Sequence, residues 1–229
     1  MSCLLVLGSK PSPNIPLNST YDDVACANAS GYSADQCGLK RPKFTVMSSC
    51  ITSGMSRVEQ KSYNAIQGLE TDTLYFVPSV TKNDKYTLTK LARYFWTIRR
   101  QPLFAKIRLW MVNYGYKKFV TKKKSKYIET IKKTCKNDKK VVEAIENKKP
   151  STGITALCIG IYSGRYEKYI MSGFSLETEK EYFEDTSQKK YMHESTDIRI
   201  LKNLKKRFDI RTTEPKLNEK TNIDMVSGE

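Results

Sequence analysis

The chain has 229 residues, 40 Lys plus Arg against 24 Asp plus Glu, a net charge of +16 and one histidine. That length suits one α/β domain with a sizeable core and excludes two full domains, while the charge, with a pI near 9.5, points to acidic partners: phosphorylated sugars or nucleotides, an anionic membrane surface, or nucleic acid. Six cysteines (Cys3, Cys26, Cys37, Cys50, Cys135, Cys158) lack any CxxC pair, so they read as reduced, mostly buried thiols of a cytoplasmic protein, and a single histidine argues against zinc.

MSCLLVLG is too short for the apolar core of a signal peptide and runs straight into a turn, and no segment approaches the roughly 18 apolar residues of a membrane span. The expectation is a soluble or peripheral protein. Cys3 to Leu7 reads as a first parallel strand buried on both faces, ended by Gly8. The loop Gly8, Ser9, Lys10, Pro11, Ser12 is either simple strand-to-turn punctuation or a backbone that approaches a ligand closely, with Lys10 available to a phosphate. Asp23 to Ala29 and Lys43 to Met47 read as the next two strands. Ser48 and Ser49 follow the third at its C-terminal end, the ligand edge of an α/β sheet. A helix is expected over Ser56 to Gln67, a strand over Thr73 to Val77, and a helix over Tyr86 to Ile98 with its aromatics in the core.

Lys117 to Lys149 holds 13 lysines against Glu129, Asp138, Glu143 and Glu146, a net +9 without one arginine. It reads as a helical insertion whose lysines serve a solvated face, an anionic-lipid contact or, less well without arginine for bidentate base contacts, nucleic acid. Ser151, Thr152 and Gly153 then open an apolar run to Ile161. Such a start is either an ordinary N-cap with a steric glycine or a phosphate cradle at a helix N-terminus. Glu167 to Met171 reads as a short buried strand closing at Ser172 and Gly173. An acidic, tyrosine-bearing segment leads to His193. Ile198, Leu201, Leu204 and Phe208 mark an amphipathic helix capped near Ser195 or Thr196. Ile210 begins a final edge strand, and from Glu214 to Glu229 a polar, disordered tail is expected.

These motifs in this order, LLVLGSKPS at the start and then STG, the apolar helix, the strand ending in Ser172-Gly173, the tyrosine-bearing segment and HESTDI, resemble the bacterial sialyltransferases of glycosyltransferase family 42. The resemblance covers the N-terminal loop and Pro150 to Phe208 and leaves the middle unmatched. It implies a single Rossmann-like α/β domain (a GT-A-like variant) over residues 1–213, with a mostly parallel sheet and a small lid, residues 174–192, between the last strand and the last helix. It implies transfer of sialic acid or a related ulosonic acid from a CMP-activated donor to a sugar of a surface glycolipid or polysaccharide, with related CMP-Kdo transferases of lipopolysaccharide core sharing the pattern.

By the same resemblance His193 is the general base, Asp197 orients it or caps the helix, and Tyr182 with the backbone of Ser151, Thr152 and Gly153 holds the leaving phosphate. Gly8, Ser9, Ser12 and Asn28 fall on the nucleotide side of the site, with Ser48, Ser172 and Gly173 beside them. Ser9 stands where the family has Asn, Ser48 near another Asn, Ser175 at its strand-end Asp and Glu177 at its first lid Tyr. A base with a pKa near neutrality suits deprotonation of a sugar hydroxyl, and one base without an evident nucleophile implies inversion by a single displacement. No Asp-x-Asp follows a strand, so neither metal nor other cofactor is expected beyond the donor. The expected setting is the cytoplasm, peripherally at the inner face of the membrane, with a homo-oligomer in prospect. The competing reading is a non-enzymatic basic α/β protein that binds nucleic acid.

Overall fold

The computed structural model describes residues 1–10, 13–28, 30, 35, 38–48, 64–78, 101–174, 176 and 193–226. Among these, eight strands form a single sheet: β1 (Cys3–Leu7), β2 (Asp23–Ala27), β3 (Phe44–Ser48), β4 (Glu70–Val77), β5 (Gly115–Thr121), β6 (Lys168–Ser172), β7 (Asp209–Thr212) and β8 (Asp224–Met225). Every pairing is parallel, in the order β5-β4-β3-β2-β1-β6-β7-β8. The described helices are α1 (Gln101–Met111), α2 (Lys124–Thr134), α3 (Lys139–Asn147), α4 (Thr152–Tyr162), α5 (Glu194–Leu204) and α6 (Pro215–Thr221).

β1 explains the architecture. All five of its residues are buried, and successive side chains point to opposite faces. Leu4 and Val6 enter the large cluster with Ile131, Ile145, Leu157, Ile200, Leu204 and Leu217, whereas Cys3, Leu5 and Leu7 join Tyr21, Val24 and Ile170 on the other side. Only a central parallel strand covered on both faces tolerates such a sequence. α4 lies against β1, β2 and β3 and is apolar on nearly every side, with Gly153 to Cys158 all buried, as a helix enclosed by a sheet and by α2 must be. Met47 and Leu74 meet Leu109, Val112 and Tyr114 on the opposite face, so α1 belongs to that layer.

The lysine-rich stretch is not an insertion. Its first residues form β5, paired to β4 along its length, and α2 and α3 bury Tyr127, Ile131, Val141 and Ile145 in the main core. β5 is an edge strand with Lys117 and Lys118 exposed, and charge on an edge blocks pairing with another chain. The apolar side chains that face the core sit among lysines that face water, which hides both patterns from a reading by composition.

The expected disordered tail is also corrected. Residues 215–221 form α6, which has Pro215 in its first turn and Asn222 in the left-handed conformation just past its end, and β8 then adds to β7. Leu217 and Ile223 are buried, and that burial holds the segment in place. β7 is accordingly not the sheet edge. The expected helices over Ser56 to Gln67, of which residues 64–67 are described, and over Tyr86 to Ile98 lie largely or wholly outside the described residues, as does the lid apart from Phe174 and Leu176.

Candidate active site

In an all-parallel sheet every strand ends on the same edge, and the crossover helices begin there. The chain leaves β1 toward β2 on one side and returns through α4 to β6 on the other, so the strand order reverses between β1 and β6. Ligands of open α/β sheets bind in the crevice at such a reversal.

The two strand ends are fastened to each other at this point. The Gly8 N–H donates to the Ser172 carbonyl (2.8 Å), and the Lys10 N–H donates to the Gly173 carbonyl (3.1 Å). Gly173 has φ +74°, and a Cβ on Gly8 would collide with the Gly173 carbonyl, so both positions require glycine. The Ser172 hydroxyl donates to the Asn14 carbonyl (2.7 Å) and is wholly buried, which makes it a fastening of the loop. Ser9 sits half-buried between Gly8 and Lys10. Ser12, Ser49 and Tyr182 lie outside the described residues, with Ser175 and Glu177.

Lys10 does not stand ready for a phosphate by itself. Its ammonium is 2.7 Å from a carboxylate oxygen of Glu214. The other oxygen of Glu214 accepts from the N–H groups of Gly173 (2.9 Å) and Asn14 (3.3 Å), and Glu214 is 1% exposed. One buried carboxylate thus joins the loop after β1, the end of β6 and the segment after β7. Sequence reading missed it by assigning Glu214 to a tail. The signal was the Glu-Pro pair itself, which marks a helix start.

On the other side of β1, Asn28 adopts φ +56° and its side-chain Oδ1 accepts from both the N–H and the hydroxyl of Ser48 (each 3.1 Å). Asn28 and Ser48 therefore form one unit at the ends of β2 and β3. The Asn28 side-chain NH₂ makes no hydrogen bond among the described residues and is suited to donate to ribose or sugar hydroxyls.

Ser151 caps α4, its hydroxyl accepting from the Ile154 N–H (3.2 Å), and a Cβ on Gly153 would overlap the Phe174 ring. Both plain structural roles of the triplet are real. They coexist with a cradle, since the N–H groups of Thr152 and Gly153, in the first turn of α4, make no hydrogen bond among the described residues.

The histidine segment is stitched to the start of α4. His193 is the N-cap residue of α5, a position expected two or three residues further on, and its Nδ1 lies 2.6 Å from the Lys149 carbonyl. The Thr196 hydroxyl donates to the carbonyls of Lys148 (3.1 Å) and Ala144 (3.2 Å). Asp197, 0% exposed, accepts from the Ser151 N–H at 3.0 Å. Three residues of HESTD thus hold the backbone that leads into STG, and the Lys149 carbonyl takes part in orienting the imidazole. Asp197 acts on the cap of α4. A carbonyl can only accept, so Nδ1 carries the proton and the lone pair of the neutral ring is on Nε2. A recess of about 600 Å³ between α2 and α3 shares Lys149 in its lining, with Lys124, Ile128, Lys132, Ile145 and Asn147.

The buried thiols are inert by the same physics that builds the core. Burial pushes Cys3 and Cys135 up to about 11 and Cys26 up to about 12, and holds Cys158 well above the usual thiol range, so all four are protonated at neutral pH. Cys37 and Cys50 lie outside the described residues.

No family model matches this sequence, and no curated protein matches it with significance. Solved structures do. Monofunctional α-2,3-sialyltransferase Cst-I from Campylobacter jejuni superposes with a TM-score of 0.56 at 14% identity, over 98% of this chain and 81% of that one. Sialyltransferase CstII from C. jejuni, in complex with the substrate analogue CMP-3FNeuAc, gives 0.53 at 13% identity over 100% and 86%. A CST-II complex with a trisaccharide acceptor and CMP gives 0.55 at 13% identity over 99% and 86%. The chain therefore has the α/β fold of these sialyltransferases. The family whose motifs it resembles and the fold it adopts agree.

Proposed function

We propose that the protein is a glycosyltransferase that moves sialic acid or a related ulosonic acid from a CMP-activated donor to a sugar acceptor of a surface glycan, with inversion and without a metal. The observation that carries this reading is the stitching of HESTD to STG. The only histidine of the chain is oriented by a backbone carbonyl two residues before the cap of α4, on the edge where the strand order reverses.

In this reading CMP lies across the ends of β1 and β6. The N–H groups of Thr152 and Gly153 face its phosphate, and the Asn28 amide, held by Ser48, faces ribose or sugar hydroxyls. The acceptor hydroxyl attacks the anomeric carbon while its proton passes to Nε2 of His193. The new glycosidic C–O bond forms as the bond to the CMP phosphate breaks, and CMP leaves with that electron pair. Donors already in place for the departing phosphate lower the barrier. Tyr182 is the lid hydroxyl assigned to the same phosphate by resemblance. A cytidine monophosphate leaving group develops less charge than a diphosphate, which suits a site expected to work without a metal.

Release of CMP from CMP-sialic acid and from CMP-Kdo, with and without a glycolipid acceptor extract, tests this reading and identifies the donor. Acceptor-stimulated release is expected with one donor, unaffected by EDTA, and reduced about 100- to 10,000-fold in His193→Ala. The absence of both turnover and thermal stabilisation by CMP would overturn it.

A further inference from the structure

Leu176 adopts φ +54° although it is neither glycine nor asparagine, and it is buried in the main core. A leucine keeps that conformation only where its surroundings impose it. Contacts along residues 173–176 do so here. The Gly173 N–H donates to Glu214 (2.9 Å), the Phe174 ring lies against Gly8 and Gly153, and the Leu176 carbonyl accepts from the Lys220 ammonium at 3.2 Å. Glu214 immediately precedes α6 and Lys220 lies in its last turn, so one short helix grips this stretch at both ends.

The same ammonium is 2.8 Å from a carboxylate oxygen of Glu194, the first residue of α5 and the neighbour of His193. The chain runs on from Leu176 through residues 177–192 and returns at His193, so Lys220 binds just before that stretch and just after it. Both side chains of the pair are partly shielded, and the second hydrogen bond of the lysine fixes its geometry. His193 has a contact of its own, from Nδ1 to the Lys149 carbonyl, but a ring that turns about its side-chain bonds is placed only when its backbone is placed. The Thr196 and Asp197 N–H groups on the His193 carbonyl tie that backbone to α5, and the Lys220–Glu194 pair ties the start of α5 to the end of β6.

We propose that Lys220 is a positioning residue for the transfer step. By clasping Leu176 and Glu194 it fixes the start of α5, and with it the Nδ1 contact that leaves the His193 lone pair on Nε2. The consequence for turnover rests on the transferase reading, whereas the placement of the ring is measurable without turnover.

The chain has one histidine, so its ring nitrogens give an unobscured signal in a long-range proton–nitrogen NMR spectrum of the untagged full chain. At alkaline pH, where an imidazole is neutral, the wild type is expected to show mainly the Nδ1–H tautomer. Lys220→Met is expected to move it toward the tautomer mixture of a free imidazole, and Lys220→Arg, which keeps the charge and the donors, to retain it. In acceptor-stimulated CMP release Lys220→Met is expected to lower kcat about tenfold and to change KM for the CMP-sugar less than about twofold, since the donor contacts of Thr152, Gly153 and Asn28 remain. Lys220→Arg is expected to recover most of the rate. Glu194→Gln breaks the pair from its more exposed side and is expected to move both readouts the same way, which covers a Met variant that does not fold. An unchanged tautomer in folded Lys220→Met or Glu194→Gln would overturn the proposal whether or not the protein turns over. So would a rate loss that Lys220→Arg does not rescue, or one matched by an equal loss of CMP affinity, the mark of a purely structural lysine. A tautomer that responds as expected in protein without any turnover would support the clasp and count against the transferase reading alone.

Discussion

Glu214 and His193 show how single residues acquire a role from partners that are remote in sequence. The Glu214 carboxylate holds Lys10, Asn14 and Gly173, between 41 and 204 residues away. Glu214→Ala leaves two backbone N–H groups and an ammonium without their acceptor and is expected to cost about 3–5 kcal/mol in urea unfolding, with Glu214→Gln, which keeps an acceptor oxygen for the N–H groups, costing less. CMP affinity should fall more in the Ala than in the Gln variant, because both loops of the proposed donor site lose their tie. Asp197 makes a related point. Its pattern as the last residue of HESTD was legible, but its hold on the Ser151 N–H depended on where α4 begins.

At the scale of the element, periodicity was readable wherever one kind of burial ruled. β1, β3, β6 and α4 are buried so completely that their apolar runs identify them, and their boundaries in the structure fall within a residue or two of those expected. β5, α2 and α3 were not separable, since each buries only one stripe and the remaining positions are lysine. Glu129 illustrates their outer face: it receives Lys126 and Lys133, which hold its carboxyl down at about 2 from an ordinary 4.5. A depressed carboxylate contributes stability above its unfolded value, lost as pH falls through the folded one, so Glu129→Gln should flatten the acid side of the stability profile between about pH 4.5 and 2. The group is exposed, and the effect is small at high salt.

For the whole molecule, β1 ties the layers together. It pairs with β2 and β6 and sends side chains into the clusters on both faces, so the two halves of the sheet share the large cluster through it. Urea unfolding is therefore expected to give coincident transitions by far-UV circular dichroism and tyrosine fluorescence, while two separated transitions would show that the sheet divides. Deleting residues 214–229 should lower the midpoint sharply, because Leu217 and Ile223 leave the core and β7 loses its neighbour. The described helices include none long and apolar enough to cross a membrane.

The sequence by itself determined the α/β class, the buried strands on either side of the strand-order reversal, the capped start of α4 and the histidine motif, because each rests on local patterning: apolar runs, glycine at a turn, a hydroxyl before a helix. Only the tertiary structure decided that the lysine-rich segment belongs to the sheet, that the supposed tail closes its other edge, that Lys10 is held by Glu214 and that HESTD grips the backbone before STG. Those outcomes depend on which groups meet across long stretches of chain, and an acceptor supplied by a distant carbonyl or carboxylate leaves no mark on the residues that flank it.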